Sequence, residues 1–286
     1  MSRVQTPYGV FFIDSERDKK MANALLRGEY PNERLLEIAG AFVNEKSVVV
    51  DIGAHIGSFT IPIAKVAGKV IAFEPSHETF ALLSRNAEEN NVQIQLVNSA
   101  LGSREGTGTM FVRNELNAGA NTLVTGDDIP VAMLDKEVTH ADFIKIDVEG
   151  MELEVLHGGA LLIKRARPAV FFEVNLSQLR AHKASPRAIE QFFKQLGYKI
   201  YFPFKQENLK LARVRNTTLL TALIAPRAWL FFSESAPFDL LAVPIERDLP
   251  FRSASFMSVI RYAIGNNIAV KGKRIVKFLK NLLPTR

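Results

Sequence analysis

A tight turn between two glycines, with an acid just before it, is the first feature of the chain that could do chemistry. The segment DIGAHIG runs from Asp51 to Gly57 and contains Gly53 and His55. Its glycines allow a sharp turn and a close approach of the backbone to a ligand. It lacks the third glycine of the G-x-G-x-x-G pyrophosphate motif, and Asp51 would repel a pyrophosphate. It therefore predicts a cationic ligand such as S-adenosylmethionine, whose carboxylate would meet the helix N-terminus near Gly57.

A second acid, Glu74, follows the apolar run KVIAF, 17 positions after Gly57. This is close to the spacing of roughly 20 residues at which an acid meets the ribose of a nucleotide. A carboxylate there can accept hydrogen bonds from both ribose hydroxyls. NAD carries the same ribose, so Glu74 predicts a nucleoside without choosing between the two cofactors. Ser99 and Ala100, at the end of the next predicted strand, would face the adenine.

Three further acids stand at two more predicted strand ends, namely Asp147, Glu149 and Glu173. Carboxylates that converge in one crevice are costly unless they share a proton, a cation or a ligand. If the ligand is the methyl donor S-adenosylmethionine and the acceptor is an alcohol, the hydroxyl proton must be removed, for which a general base typically contributes roughly 10²–10⁴-fold. We therefore predict that one of these three acids is the base.

The same region could instead hold a metal ion. Asp147, Glu173 and Asn175 offer the oxygen ligands that Mg²⁺ prefers, and a bound ion would lower the pKa of an acceptor hydroxyl. The favoured interpretation assigns no metal ligand and leaves metal-assisted transfer as the alternative.

The elements that must position these residues alternate between strand and helix. Short apolar runs predict seven strands, at 47–52, 69–73, 92–98, 142–147, 169–174, 198–202 and 238–245. Helical patterns lie between them, at 57–67, from the N-cap Ser76 to about residue 90, at 150–164, and from Ser185 and Pro186 to residue 196. A hairpin with loops is expected over 102–128. This alternation predicts an α/β, doubly wound, mostly parallel sheet, in which ligands bind at the carboxyl ends of the strands.

The composition of the chain excludes several kinds of functional site. The chain has 286 residues, 47% of them hydrophobic, and no cysteine, which excludes disulfides, thiolate metal sites and a cysteine nucleophile. No signal peptide is visible, and the apolar stretch 219–232 is interrupted by Pro226 and Arg227 and too short to span a bilayer. We expect a cytoplasmic protein.

The net charge of +6 is concentrated at the C-terminal end. Residues 247–286 contain nine Lys or Arg and one acid, leaving 27 basic and 29 acidic residues in 1–246. Apolar residues on one helical face of 268–283, with basic residues beside it, predict peripheral contact with the inner membrane face. Few aromatics are interleaved, so no nucleic acid is expected. The predicted organisation is a preamble at 1–46, a catalytic domain at 47–246 and this basic tail.

Several of these segments together resemble the FkbM family of methyltransferases over about residues 30–200. They are DIGAHIG, IAFEPS, NSALGSREG, FIKIDVEGMELEVLHGG and PAVFFEVN. The resemblance implies a seven-stranded class I methyltransferase sheet with an antiparallel last strand. It also implies S-adenosylmethionine as donor and O-methylation of a hydroxyl on a sugar, glycolipid or natural product.

The resemblance also assigns roles to residues. Asp51, Gly53 and Gly57 correspond to the methionine-binding turn, Glu74 to the ribose acid, and Asp147 to a contact with methionine or substrate. The family often has Asn where this chain has His55, which we interpret as a variant of the cofactor turn, with a catalytic role left open. An NAD-dependent oxidoreductase and a non-catalytic adaptor of the same fold remain as alternatives.

Overall fold

The fold is described from a computed structural model, which covers residues 1–111, 122–126, 128–205, 208–224, 237–251, 253–255, 257–259 and 262. The chain forms two compact units, Met1–Phe172 and Glu173–Arg286. The predicted membrane-contacting segment 268–283 lies outside the described residues. None of the described helices combines the length and the apolar character that crossing a membrane would need.

The first unit begins with a hairpin and two helices and continues into alternating strands and helices. Its elements up to residue 101 are β1 (Ser2–Thr6), β2 (Gly9–Ile13), α1 (Lys19–Leu26), α2 (Glu33–Gly40), β3 (Val48–Ile52), α3 (Thr60–Ala64), β4 (Lys69–Phe73), α4 (His77–Glu89), β5 (Gln95–Val97) and β6 (Ala100–Leu101). Its remaining elements are β7 (Gly106–Phe111), β8 (Thr122–Thr125), β9 (Ile129–Ala132), α5 (Leu134–Glu137), β10 (Phe143–Ile146), α6 (Glu152–Gly158), α7 (Ala160–Ala166) and most of β11 (Ala169–Val174).

A parallel sheet forms the centre of this unit, in the order β11-β10-β3-β4-β5. Every residue of β10 is buried, as are the last four of β3, which explains why both strands are nearly continuous apolar runs. From β3 the chain proceeds outward to β4 and β5, then returns to place β10 on the other side of β3. Ligands of open α/β sheets bind at such a reversal, outside the carboxyl ends of the strands.

The hairpin β1–β2 packs on helix α4 through two asparagines one helical turn apart. Asn86 accepts a hydrogen bond from the Phe12 amide at 2.6 Å and donates to the Phe12 carbonyl at 3.2 Å. Asn90 contacts the amide and carbonyl of Val10 in the same way, at 2.9 and 2.6 Å. These side chains satisfy backbone groups on the edge of β2, which an edge strand otherwise leaves unpaired.

A second, smaller sheet of the first unit has the order β6-β9-β7-β8. Strands β7 and β8 pair in antiparallel fashion, with Gly108 opposite Thr125, as the prediction of a hairpin within 102–128 requires. Residues 112–121 and 127 of that segment lie outside the described residues.

The second unit contains the end of β11 and the elements that follow it. These are α8 (Leu176–Ala181), α9 (Pro186–Gln195), β12 (Tyr198–Lys205), β13 (Leu209–Val214), α10 (Thr217–Ile224), β14 (Phe238–Pro244) and β15 (Ser253–Ala254). Their strands have the order β15-β13-β12-β14, and β14 is antiparallel to β12, as expected for the last predicted strand.

The predicted fold class is confirmed as α/β with a mostly parallel main sheet, although the number of strands is not seven. All seven predicted strands are present, and β13 and β15 were not predicted. In β13, Lys210 and Arg213 interrupt the apolar pattern, so that the segment resembles a loop in sequence.

Two predicted helices are shorter than expected. The helix predicted from Gly57 begins at Thr60, because Gly57 has a φ of +90° and belongs to the turn. The helix predicted over 150–164 is divided at Gly159 into α6 and α7.

Candidate functional site

The glycine turn after β3 lies against the end of β10. Gly53 has a φ of +81°, and a Cβ there would lie 1.9 Å from the Asp147 carbonyl oxygen. The amides of Gly53 and Ala54 donate to the Phe73 carbonyl at 2.9 and 3.0 Å. Only glycine combines this conformation with this close approach, so the turn is fixed between the ends of β4 and β10.

Asp51 lies beneath this turn rather than in an open crevice. Its side chain has 0% exposure, and the Thr60 hydroxyl donates to Oδ2 at 2.5 Å. Its Oδ1 is 3.1 Å from the Nζ of Lys145. The ion pair therefore lies inside the protein, and Lys145 compensates the charge of Asp51 that was predicted to favour a cationic ligand.

Lys145 also belongs to this candidate site, and it was not among the residues predicted from the sequence. It lies opposite Asp51 in the register of β10 and β3 and is 5% exposed. Its ammonium donates to the Gly53 carbonyl at 2.6 Å and is 3.8 Å from Asp147 Oδ2. Burial acts to lower the pKa of Lys145, but Asp51 and Asp147 outweigh it, so the pKa is raised and the lysine stays charged. A lysine in the apolar run FIKI was the signal available in the sequence, since buried lysines are nearly always paired.

Glu74 is buried at the end of β4 and supports the turn from the other side. Its Oε2 accepts from the His55 amide at 2.9 Å and its Oε1 from the Ser76 amide at 3.0 Å. Burial raises the pKa of Glu74, although His55 and both amides oppose the rise. Each oxygen keeps a second lone pair, so the carboxylate can still accept hydrogen bonds from a diol.

The end of β5 is tied to the end of β4. The Asn98 amide donates to the carbonyls of Glu74 and Pro75 at 2.8 and 3.1 Å. Ser99 is buried, and its hydroxyl has no hydrogen-bond partner among the described residues. Ala100 begins β6 and is also buried. Buried hydroxyls are normally paired, so Ser99 is suited to contact a ligand.

The loop after β10 carries two of the three predicted catalytic acids. The side chain of Asp147 is 42% exposed, and its carboxylate lies within 4.8 Å of that of Glu149. Glu149 and Gly150 both have positive φ, of 54° and 105°. Glu152 Oε1 accepts from the Val148 and Gly150 amides at 3.4 and 3.1 Å and so braces the loop.

The remaining predicted residues belong to the second unit. Glu173 is half-buried on β11, and Asn175 precedes helix α8, where its Oδ1 accepts from the Ser177 hydroxyl at 2.9 Å. The first unit therefore brings together Asp51, Gly53, His55, Gly57, Glu74, Asp147 and Glu149 around one sheet edge, with Ser99 and Ala100 on the segment leaving β5.

Comparison with known proteins identifies the segment that contains these residues. The model of the Methyltransferase FkbM domain matches residues 51–200. Hexuronic acid methyltransferase AglP of Haloferax volcanii is 32% identical over 144 residues, or 46% of this chain and 57% of that protein. Methyltransferase 1 of Beauveria bassiana is 28% identical over 150 residues, or 40% of this chain and 59% of that protein. The chain thus spans less than two thirds of the length of these curated relatives.

Solved structures are similar as well. Methyltransferase FkbM from Methylobacillus flagellatus is 20% identical, with 46% of this chain and 33% of that chain covered and a TM-score of 0.34. Magnesium protoporphyrin IX methyltransferase from Synechocystis, solved with bound SAM, is 15% identical, with 73% and 74% covered and a TM-score of 0.41.

Proposed function

This chain belongs to the FkbM family of S-adenosylmethionine-dependent methyltransferases, and from that premise we propose that it methylates a hydroxyl group of a sugar-like acceptor. The observation that carries the proposal is the edge of the first unit's sheet. There, a glycine turn, a buried acid at the end of β4 and an exposed acid after β10 lie around the reversal between β3 and β10.

The residues of this edge fit the cofactor. Glu74 would accept from the ribose hydroxyls, the Gly53–Gly57 turn would hold the methionine part, and the segment with Ser99 and Ala100 would lie at the adenine. The buried hydroxyl of Ser99, which has no hydrogen-bond partner in the described part of the chain, supports this assignment. When bound, S-adenosylmethionine supplies a methyl group already activated by a positively charged sulfur, so much of the acceleration can come from positioning.

The acid that takes the acceptor's proton is the second part of the proposal. Asp147 is our first choice as general base, because its carboxylate is partly exposed at the reversal of the sheet. Lys145, 3.8 Å away, would hold it in place. Glu149 and Glu173 are the other two candidates.

The acceptor class is proposed from a relative. AglP is named a hexuronic acid methyltransferase. A sugar carries hydroxyl groups, and a carboxylate acting as general base would remove the proton of the hydroxyl that is methylated. We propose a free or lipid-linked sugar, which is consistent with the basic amphipathic tail predicted from the sequence.

Ligand binding tests the proposed cofactor, and methyl transfer tests the proposed acceptor. Titration calorimetry with S-adenosylhomocysteine and NAD should show binding of the first ligand alone. Incubation with isotope-labelled S-adenosylmethionine and uronic acid or neutral sugar acceptors should place label on a sugar oxygen, located by mass spectrometry. Binding of NAD alone would contradict the assignment, and label on nitrogen or carbon would contradict O-methylation.

Substitution of the three candidate acids one at a time tests which of them is the general base. Asp147→Asn should lower kcat by roughly 10²-fold or more while leaving the affinity for S-adenosylhomocysteine nearly unchanged. Glu149→Gln and Glu173→Gln are compared with it, and Glu137→Gln, at an exposed position of the same unit, is the control. A loss of affinity without a loss of kcat would reassign Asp147 to the cofactor.

Metal-assisted transfer is the second candidate, favoured by the approach of the Asp147 and Glu149 carboxylates to within 4.8 Å of each other. Oxygen ligands of this type suit Mg²⁺. If a metal takes part, EDTA should abolish turnover and Mg²⁺ should restore it. An unchanged rate in EDTA would exclude this candidate.

A further inference from the structure

The part of the chain before the family match reaches into the cofactor turn through one buried acid. Asp18 lies 4% exposed at the start of helix α1, where its Oδ1 accepts from the Met21 amide at 3.0 Å. Its other oxygen, Oδ2, is 3.1 Å from Nε2 of His55. Residue 18 precedes the matched segment 51–200, so the family model assigns it no role.

His55 occupies a strained position that needs support. Its φ of 54° lies in the left-handed region, which is uncommon for residues other than glycine and is most accessible to Asn, Asp and His. Such conformations persist when their surroundings hold them in place. Here the imidazole is held by Asp18, and the amide donates to Glu74 at 2.9 Å.

The charges around His55 favour an ion pair at this contact. Burial acts to lower the pKa of His55, and so does the charge of Lys145, but the adjacent Asp18 carboxylate and the charge of Glu74 outweigh both, so the pKa is raised. Burial acts to raise the pKa of Asp18, but His55 and the Met21 amide outweigh it, so the pKa is lowered. The contact therefore favours the imidazolium form of His55 and the carboxylate form of Asp18.

We propose that Asp18 is a positioning residue of the cofactor site, which acts through His55 to fix the turn and the ribose acid Glu74. The chain of contacts runs from the Asp18 carboxylate to the His55 imidazole, and from the His55 amide to the Glu74 carboxylate. Asp18 itself need not touch the cofactor. The inference rests on the proposed contact between Glu74 and the ribose of S-adenosylmethionine.

Further contacts from outside the turn agree with this role. The Tyr30 hydroxyl donates to the Ser58 carbonyl at 2.6 Å, and the Asn32 amide donates to the Ser58 hydroxyl at 2.8 Å. These two contacts hold Ser58, just after the turn, whereas Asp18 meets His55, whose backbone amide binds Glu74.

The test uses the full chain and S-adenosylhomocysteine as the probe. Asp18→Asn keeps an acceptor for the Met21 amide, since Asn and Asp are comparable N-cap residues, but removes the charge facing His55. We expect the dissociation constant to rise about tenfold near neutral pH, in line with the loss of one charge-assisted contact. Asp14→Asn, on the same loop but turned to the amides of Glu16 and Arg17, should leave it unchanged.

A second background separates positioning from helix capping. His55→Asn keeps a residue suited to the left-handed region and removes the imidazole, so Asp18→Asn should have no further effect on affinity there. Equal losses in both backgrounds would show that Asp18 acts only as the cap of α1, and would overturn the inference.

The pH profile gives a readout that a merely structural role would not change. In the wild type, the affinity for S-adenosylhomocysteine should fall as pH rises through the raised pKa of His55, because the imidazole then loses its charge. This fall should be absent from His55→Asn. Wild-type protein that binds no S-adenosylhomocysteine would refute the proposed function, whereas normal binding with an unaltered profile in Asp18→Asn would refute this inference alone.

Discussion

At the level of single residues, the candidate site depends on how the protein compensates acids that it buries. Asp51 has no exposed surface, and Lys145 stands 3.1 Å from it inside the sheet. Burying an isolated carboxylate costs free energy, and the positive charge of Lys145 offsets that cost for Asp51. By donating to the Gly53 carbonyl, the same ammonium also connects the buried pair to the glycine turn.

Replacing Lys145 should therefore destabilise the protein. Lys145→Met leaves Asp51 buried without a counter-charge, which costs about 3–5 kcal/mol of unfolding free energy when one partner of a buried pair is removed. Urea denaturation measures the change. Lys136→Met is the matched control, because Lys136 pairs with Glu105 at 2.5 Å on the surface and such pairs contribute less than about 1 kcal/mol.

The double variant Lys145→Met with Asp51→Asn sharpens this test. If the pair is coupled, the double variant should be more stable than Lys145→Met alone, since no uncompensated charge remains. A double variant that loses the sum of both single effects would show that Lys145 acts independently of Asp51.

Glu152 should make stability depend on pH. Burial raises the pKa of Glu152 from an ordinary value of 4.5 to about 7, against the opposing effect of the loop amides. Between these values the unfolded chain loses the proton while the folded protein keeps it, so the unfolding free energy falls as pH rises, by at most about 3 kcal/mol.

Glu152→Gln removes this titration. Its unfolding free energy relative to the wild type should rise between about pH 4.5 and pH 7 and stay constant at higher pH. Glu88→Gln, at an exposed position on α4, serves as the control and should follow the wild type throughout. A constant difference between Glu152→Gln and the wild type would contradict the assignment.

At the level of elements, helix α4 connects the N-terminal hairpin to the glycine turn after β3. Asn86 is fully buried. Its side chain accepts a hydrogen bond from the Phe12 amide and donates to the Phe12 carbonyl and, at 2.9 Å, to the Ile56 carbonyl within the turn. One side chain thus joins β2, α4 and the turn.

Removal of the Asn86 side chain should loosen the hairpin. Asn86→Ala leaves the buried Ile56 carbonyl without this partner, which costs about 1–3 kcal/mol, and also removes the bonds to the part-buried amide and carbonyl of Phe12. Hydrogen exchange of the Phe12 amide should accelerate, and the unfolding free energy should fall. Glu88→Ala, on the exposed side of the same helix, is the control. Unchanged exchange at Phe12 would show that the hairpin is held by its apolar contacts alone.

At the level of the whole molecule, the uneven distribution of charge along the chain predicts binding to acidic membranes. Residues 1–246 are close to neutral, and the excess of positive charge lies in 247–286. A surface of anionic lipid attracts each basic residue by about 1 kcal/mol. The tail should therefore bring the protein to acidic membranes.

Vesicle sedimentation measures this attraction. The full chain should sediment with phosphatidylserine vesicles and not with phosphatidylcholine vesicles, and less so in high salt. Alanine at the four basic tail residues Lys273, Arg274, Lys277 and Lys280 should abolish sedimentation. The charge-matched control places alanine at the exposed residues Lys46, Lys69, Arg187 and Lys194. Equal sedimentation of both variants would contradict the prediction.

The sequence by itself determined the order of the elements and the family. Alternating apolar runs and helical patterns predicted β3, β4, β5, β10, β11, β12 and β14, because strands in the interior of a sheet are built mainly from apolar residues. Local residue types also predicted the Ser76 cap of α4 and the start of α9 at Pro186, since capping depends on neighbours within one turn.

Only the tertiary structure decided which groups meet. Asp51 and Lys145 are 94 positions apart, and they pair because β3 and β10 lie side by side in one register. Asp18 and His55 likewise meet through packing between the N-terminal segment and the turn. Local sequence patterns carry information about neighbours along the chain, whereas the compensation of a buried charge depends on neighbours in space.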